Sequence, residues 1–453
     1  MGWDIKGNDN MESKYIAIII AVITICLFIS NKMPMSIVAM GSSVAMGILI
    51  PEMELKDVYS GFSAPGWPMV VGMLIVSNAL FETGVANRIG VKISNSFLAK
   101  NERLFIIAVA IICTIMSALM SNNGTVAIWM PLIAVVATAS NGKIRSKIVI
   151  FVAGTAAVIG GACTLLGSTS QLAANAVLQS YEGYESGLGV FEMTKFMFPV
   201  AVVQVIYWAT IGYTILKKVL KPESPDFNKG NAYAFAENVD FEETSNHEIR
   251  KKGNIVIFTM LLCIVLFVIS GFEPFNKFLN IGVIGMLGAV IVLATKCVEI
   301  NSAYSELPWD VLITIGGIGG LGKGLEVSGG GALIANGVLN LFGGESATVG
   351  VITVAIIVLV SVLTNFMSNN ATAAMIAPIA VEMSLALGIS PIPWIAIIAA
   401  CSNFAIATSY GTAVNMQILP AGYKFSDYVY IAGPLLIILI ITTIISTKII
   451  YPF

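Results

Sequence analysis

Two short polar motifs with nearly the same sequence interrupt long apolar stretches of the chain. Residues 121–125 read Ser-Asn-Asn-Gly-Thr, and residues 368–372, which begin 247 positions later, read Ser-Asn-Asn-Ala-Thr. Another hydroxyl lies four residues before each motif, at Ser117 and Thr364, on the same helical face. Hydroxyl, carboxamide and free carbonyl oxygens are hard ligands that suit an alkali cation. Each motif therefore predicts a cation site of the sodium type.

The same motifs predict a place for an anion. A polar break in an apolar helix frees backbone groups, and lipid offers them no hydrogen-bonding partner. New half-helices are expected to begin at Gly124 and Ala371, and their apolar runs reach Pro131 and Pro378. Because a helix N-terminus carries partial positive charge, each break favours an anion beside the cation.

Ionisable residues are missing from the centres of the apolar runs. Glu82, Asp310, Glu345 and Glu382 lie at run edges, and His247, the single histidine, lies in a polar stretch. Proton-coupled carriers usually need a titratable group at depth, so sodium is favoured as the coupling ion. The six cysteines contain no CxxC pair, and the net charge of −2 gives no field for nucleic acid. No cofactor and no nucleic-acid partner are predicted.

The composition of the whole chain is that of a membrane protein. Of 453 residues, 57% are hydrophobic and 11% are charged, and the mean hydropathy is +0.88. A soluble domain carries about 25% charged residues. Stretches of about 20 apolar residues are long enough to cross the hydrocarbon core, and the charge-free runs predict ten spans. The lipid bilayer of the cell membrane is the expected location of this multi-pass protein.

The long apolar runs are organised as an internal repeat. Runs 104–142 and 346–381 are each broken near the middle by one motif and are predicted as re-entrant helical hairpins. Runs 148–181 and 391–420 are predicted as broken spanning helices. The predicted fold class is an all-α polytopic membrane protein with two inverted repeats of five spans, each with one hairpin and one broken helix. Such repeats are typical of secondary transporters.

Positive charges orient the repeats in the bilayer. Residues 1–14 form a predicted extracytoplasmic tail, and residues 219–252 form a cytoplasmic linker between the repeats. With this arrangement 17 of the 24 basic residues lie on the cytoplasmic side, in agreement with the positive-inside rule. Because five spans is an odd number, the two copies insert with opposite orientation.

The motifs resemble those of the divalent anion/sodium symporters, the INDY-like carriers of the ion transporter superfamily. That family has a Ser-Asn-Thr motif at each hairpin tip, and this chain shares its Ser-Asn, the following Thr and the proline in both copies. The resemblance covers nearly the whole chain. It implies a homodimer, a scaffold at 15–99 and 253–344, and a transport domain at 100–218 and 345–453 that moves as an elevator.

The resemblance also implies roles for individual residues. Cation binding is expected from Ser117, Ser121, Asn122, Gly167, Thr364, Ser368, Asn369 and Gly411. Substrate binding is expected from Asn122, Asn123, Thr169, Asn369, Asn370 and Thr412. The chain departs from the family pattern where Asn123 and Asn370 replace threonine, and where Thr169-Ser170 and Ala413-Val414 replace Pro-Pro pairs.

The leading hypothesis is a sodium-coupled symporter for a small divalent anion, with a C4-dicarboxylate or related carboxylate as the first candidate. One alternative is an inorganic oxyanion permease or a sodium-independent anion exchanger. Another is an intramembrane enzyme or a non-transporting membrane scaffold, which as an enzyme would need a catalytic dyad at depth. The sequence contains no such dyad within its apolar runs.

Overall fold

The computed structural model describes residues 5–30, 32–85, 88, 101–140, 143–220, 247–270, 275, 278–341, 348–409 and 411–452. Over these residues the regular elements are helices, and no strand is formed. The helices are α1 (Ile5–Ser30), α2 (Met35–Leu49), α3 (Leu55–Val58), α4 (Ser60–Ser63), α5 (Gly66–Glu82), α6 (Glu102–Leu119), α7 (Asn122–Ala139), α8 (Ser146–Gly161), α9 (Thr169–Gln179), α10 (Thr194–Ala209), α11 (Ile211–Val219), α12 (His247–Ile269), α13 (Ile281–Ala294), α14 (Ile300–Ser305), α15 (Trp309–Ser328), α16 (Gly330–Leu341), α17 (Val349–Leu363), α18 (Asn369–Ala386), α19 (Ile392–Cys401), α20 (Ala413–Ile418) and α21 (Phe425–Ile450).

Each interruption predicted within a long apolar run lies at a gap between two helices, but α7 and α18 begin at Asn122 and Asn369, two residues before the predicted starts at Gly124 and Ala371. The first hairpin run is divided between α6 and α7, and the second between α17 and α18. The two predicted broken helices are α8 followed by α9, and α19 followed by α20. Tyr410, inside the last break, lies outside the described residues, as do the predicted domain boundaries at 99/100 and 344/345.

Four helices in the described part of the chain are long and apolar enough to cross a membrane: 102–119, 248–269, 309–328 and 425–450. The bent pair α10–α11 could supply a fifth span. These are fewer than the ten spans predicted from the charge-free runs, and shorter apolar helices, such as α2, α8, α13 and α17, form in several of the other runs. A helix of 15 residues is about 22 Å long, which is less than the ~30 Å hydrocarbon core.

Three predicted segments differ from the helices that form. The charge-free run 196–216 is long enough to predict one span, but its helix bends by 51° between α10 and α11. The bend occurs because Thr210 leaves helical geometry, with φ −126° and ψ −100°. Helix α1 begins inside the predicted tail 1–14, and α12 begins inside the predicted linker 219–252, of which residues 221–246 are not described.

Glycines allow close packing between the helices of the predicted scaffold. A Cβ on Gly72 of α5 would lie 2.1 Å from the carbonyl oxygen of Gly285 on α13. A Cβ on Gly317 of α15 would lie 2.6 Å from the backbone of Ala39 on α2. The glycine-rich helix α15 is therefore a packing element, and Gly329 ends it in the left-handed conformation with φ 69°.

Helices from the two predicted repeats contact one another around the breaks. Helix α9 of the first repeat packs against α18 of the second hairpin, and α20 of the second repeat packs against α7 of the first hairpin. Helix α9 also contacts α5 and α15. All four breaks are consequently brought to one region of the molecule, beside α5.

Candidate functional site

A cavity of about 300 Å³ lies where the four helix breaks meet α5. Ten of the twelve predicted site residues line it: Ser121, Asn122, Asn123, Gly167, Thr169, Ser368, Asn369, Asn370, Gly411 and Thr412. The other two, Ser117 and Thr364, are fully buried behind this lining. Residues from both repeats, which are about half the chain apart in sequence, therefore share a single cavity.

The first motif is held by short-range hydrogen bonds. The Ser117 hydroxyl donates to Oδ1 of Asn122 at 2.7 Å. The Ser121 hydroxyl accepts the backbone N–H of Gly124 at 3.2 Å and so caps α7, and Thr125 donates to the Ser121 carbonyl at 3.1 Å. The Asn122 carboxamide therefore lies against the end of α6.

The second motif repeats the same bonds. The Thr364 hydroxyl donates to Oδ1 of Asn369 at 2.9 Å. The Ser368 hydroxyl accepts the N–H of Ala371 at 3.2 Å, and Thr372 donates to the Ser368 carbonyl at 3.1 Å. The sequence repeat is thus matched by a repeat of local hydrogen bonding.

The broken helices repeat each other as well. Thr164 donates to the carbonyl of Ala118, and Thr408 donates to that of Asn365 at 2.6 Å. Two further residues hold the unwound segments, since Gln171 donates to the carbonyl of Gly161 at 2.6 Å and Asn415 donates to that of Ala405 at 2.8 Å. In the sequence, Gln171 and Asn415 each follow a glycine by four residues, at Gly167 and Gly411, and this shared spacing is a signal for the two amides.

The inner end of each motif carboxamide lies among oxygen atoms. An amide nitrogen of Asn122 turned inward would donate to the carbonyls of Ala157 at 3.2 Å and Gly167 at 2.9 Å. A nitrogen of Asn369 turned inward would donate to those of Ser402 at 3.1 Å and Gly411 at 3.2 Å. With the amide oxygen inward instead, the carbonyl oxygens of each cluster face another oxygen, and the Ser117 or Thr364 hydroxyl is its hydrogen-bond donor. A cation among these oxygens would stabilise that arrangement.

Three helices of at least eleven residues point their N-termini into the cavity. Asn122 begins α7, Thr169 begins α9 and Asn369 begins α18, and all three residues line the cavity wall. No Asp, Glu, His, Lys or Arg is among the described residues that line it. Because the first N–H groups of a helix carry partial positive charge, this end of the cavity favours an anion without any charged side chain.

Direct hydrogen bonds join the two repeats at the cavity floor. The Thr169 hydroxyl donates to Oδ1 of Asn370 at 2.9 Å. Behind it, the buried Ser170 hydroxyl accepts from Ser402 and from the Asn403 amide, each at 3.1 Å. Sequence patterns did not single out Ser402 or Asn403, because single polar residues in apolar helices usually serve only packing.

Backbone segments approach closely around the first oxygen cluster, which consists of the Asn122 carboxamide, the Ser117 hydroxyl and the carbonyls of Ala157 and Gly167. A Cβ on Gly167 would lie 2.5 Å from Cα of Gly161 and 2.7 Å from the Ser117 carbonyl oxygen. A Cβ on Gly161 would lie 1.9 Å from Oδ1 of Asn122. Around Gly411 the nearest atom to such a Cβ is the Thr408 hydroxyl, at 2.9 Å. The first cluster therefore depends more strictly on glycine than the second.

Known transporters resemble the chain over long stretches. The uncharacterized transporter YfbS of Escherichia coli strain K12 is 30% identical over 172 residues, which are 38% of this chain and only 28% of that protein's own length. The sodium-dependent dicarboxylate transporter SdcS of Staphylococcus saprophyticus is 26% identical, over 78% of this chain and 70% of the relative. The sodium/sulfate cotransporter 2 of Chlamydomonas reinhardtii is 28% identical, over 42% of this chain and 22% of the relative.

The fold and the family model agree with these relatives. The structure of MtrF from Neisseria gonorrhoeae, described with a class of antimetabolite efflux pumps, superposes with a TM-score of 0.63 at 15% identity, over 87% of this chain and 83% of that one. A model of the citrate transporter family matches residues 25–400. The resemblance inferred from the motifs is confirmed: the chain belongs to the citrate transporter family of the ion transporter superfamily, and this family and the relatives above are described as transporters, not as enzymes.

Proposed function

We propose that the protein is a sodium-coupled symporter for a small divalent anion, with a C4-dicarboxylate as the first candidate. The observation that carries this proposal is the convergence of three helix N-termini and two oxygen clusters on a cavity whose described lining residues include no charged side chain. In secondary transporters, broken-helix N-termini bind anionic groups while unwound carbonyls bind sodium. An anion and its cations would stabilise one another here.

Sodium binding in this proposal uses the two carboxamides as movable ligands. With sodium bound, Asn122 and Asn369 turn their oxygens inward, toward the cation that lies among the carbonyl and hydroxyl oxygens. Without sodium, their nitrogens turn inward and donate to the same carbonyls, at distances between 2.9 and 3.2 Å. The clusters therefore stay satisfied in both states, which allows the cation to enter and leave.

The volume of the cavity and the names of the relatives indicate which anions to compare. The cavity of about 300 Å³ lies at the lower end of the range for ligand pockets, so it suits a small anion. The staphylococcal relative is named for dicarboxylate transport and the algal relative for sulfate transport. Sulfate transport, or sodium-independent anion exchange, is the second candidate function, and the family name adds citrate to the anions to be compared.

The proposal includes the movement and assembly expected of this family. The moving part comprises α6–α11 and α17–α21, and the scaffold comprises α1–α5 and α12–α16. The scaffold's α5 forms one wall of the cavity, so displacement of the other walls along it would open the cavity to alternate sides of the plasma membrane. A homodimer joined through its scaffolds would hold α5 still during this displacement.

The first test measures uptake by purified protein in liposomes. An inward sodium gradient is expected to concentrate one radiolabelled anion from a panel of succinate, 2-oxoglutarate, citrate and sulfate. A symporter that carries three sodium ions per dianion moves one net charge, which at 100 mV is worth about 2.3 kcal/mol, or roughly fifty-fold in accumulation. Imposing a negative interior potential should therefore increase accumulation.

The control replaces sodium by choline at the same ionic strength. Uptake that proceeds equally well in choline would reject sodium coupling. If such uptake also requires anion inside the liposomes, exchange is the function instead.

A further inference from the structure

Helix α5 presents one face to the cavity, and that face contains a single polar side chain. Met69, Val70, Met73, Leu74 and Ser77 of α5 line the cavity, at the spacing of one helical face. Four of these side chains are apolar. The Ser77 hydroxyl is thus the polar group that α5 offers to a ligand in this part of the described structure.

The Ser77 hydroxyl has no hydrogen-bond partner among the described residues, although Ser77 is only 7% exposed. Serine and threonine in helices usually donate to the carbonyl four residues earlier, and Thr83, the residue that follows α5, donates in this way to Ala79 at 2.6 Å. A buried hydroxyl without a partner is costly, and such a group in a native structure calls for a partner that the protein itself does not supply.

We infer that Ser77 is a substrate-binding residue that donates a hydrogen bond to the transported anion from the scaffold side of the cavity. This inference rests on the proposed function, because it takes the cavity to be the anion site. The three helix N-termini and the motif amides bind the anion from one side, and Ser77 binds it from the other. The anion then bridges the moving part and the scaffold.

The anion contacts Ser77 and the moving part together when the cavity is open to one face of the membrane, and not when it is open to the other. When the hairpins move along α5, the anion travels with their N-termini and leaves Ser77 behind. Ser77 therefore strengthens anion binding from one face of the membrane and contributes nothing from the other. This asymmetry distinguishes Ser77 from Asn123 and Asn370, which would stay with the anion throughout.

The experiment compares Ser77→Ala with wild type in right-side-out and inside-out membrane vesicles, with the anion identified in the liposome panel. The variant is expected to raise KM for the anion about tenfold to a hundredfold on one face, the range for losing a hydrogen bond to a charged group. On the opposite face KM should change less than about twofold. The sodium concentration at half-maximal rate should not change on either face.

Two further variants control for packing. Ser42→Ala removes the same hydroxyl from a scaffold serine that is 6% exposed and donates to Ala39 within α2, so it should leave KM unchanged on both faces. Ser77→Thr keeps a hydroxyl and should retain most of the wild-type affinity. If Ser77→Ala does not fold, Ser77→Cys, whose thiol is a weak donor, should show the same one-sided rise.

An unchanged KM on both faces, or an equal rise on both, would overturn the assignment of Ser77. Failure of the proposed function would look different, since wild-type protein itself would then show no sodium-dependent uptake of any anion in the panel.

Discussion

Replacing Gly167 by alanine should reduce sodium-dependent uptake about a hundredfold. The new Cβ would lie 2.5 Å from both Cα and the carbonyl oxygen of Gly161 and 2.7 Å from the carbonyl oxygen of Ser117. All three are backbone atoms at the first cation cluster, so the clash cannot be relieved by rotating a side chain. Overpacking of this kind costs about 1 to 3 kcal/mol, and at the upper end the cluster loses about two orders of magnitude in affinity.

The matched control is Gly411→Ala in the second repeat. There the nearest atoms are the Thr408 hydroxyl at 2.9 Å, the Ala405 methyl at 3.0 Å and the Thr364 carbonyl oxygen at 3.1 Å. Shifts of a few tenths of an ångström relieve these contacts, so uptake should fall less than about tenfold. Initial rates, normalised to folded protein in the membrane, measure both effects. Equal losses in the two variants would contradict the unequal packing.

The site could be predicted from the motifs because the motif residues form hydrogen bonds with residues close to them in sequence. Ser121 caps its own helix, and Ser117 reaches Asn122 across only five residues. Helical spacing alone places such groups together. The same reasoning placed a break at each motif, because polar residues in an apolar run must expose backbone groups that need partners, although the helices begin two residues before the predicted positions.

The contacts between repeats could not be predicted in this way. Thr169 meets Asn370 across 201 residues, and Ser170 meets Asn403 across 233 residues. These pairs form because α9 packs on α18, and helical periodicity within one segment carries no information about that pairing. Sequence patterns also did not single out Ser77, because a serine in an apolar helix is common. Its distinguishing feature is structural: the Ser77 hydroxyl lies at the cavity wall without a hydrogen-bond partner among the described residues.

The bend within the run 196–216 also could not be predicted from apolar composition. The run 196–216 contains no charge, so it was predicted as a single span, yet it bends at Thr210. Charged residues mark where a helix leaves the hydrocarbon, but a bend depends on backbone dihedral angles that apolar composition does not determine.

The second prediction is that substitutions at adjacent asparagines affect cation binding and anion binding separately. Asn122→Ala and Asn369→Ala each remove the amide that faces the carbonyl cluster of one repeat. Losing an interaction with a charged group costs about 1.5 to 3 kcal/mol, so each variant should raise the sodium concentration at half-maximal rate by about one to two orders of magnitude. The order of preference among the anions should stay the same.

The neighbouring substitutions Asn123→Thr and Asn370→Thr should give the reverse pattern. Both residues line the cavity, and Asn370 accepts a hydrogen bond from Thr169 at 2.9 Å, so the double variant changes the shape and donors of the anion site. Apparent affinity for the native anion should fall by about one to two orders of magnitude and the ranking across the panel should change, while the sodium dependence stays within about twofold. Sodium titrations at saturating anion, and anion titrations at saturating sodium, measure the two effects separately. If both pairs of substitutions instead shift sodium and anion dependence together, the paired asparagines do not divide the two tasks and the cation clusters must be located elsewhere in the cavity.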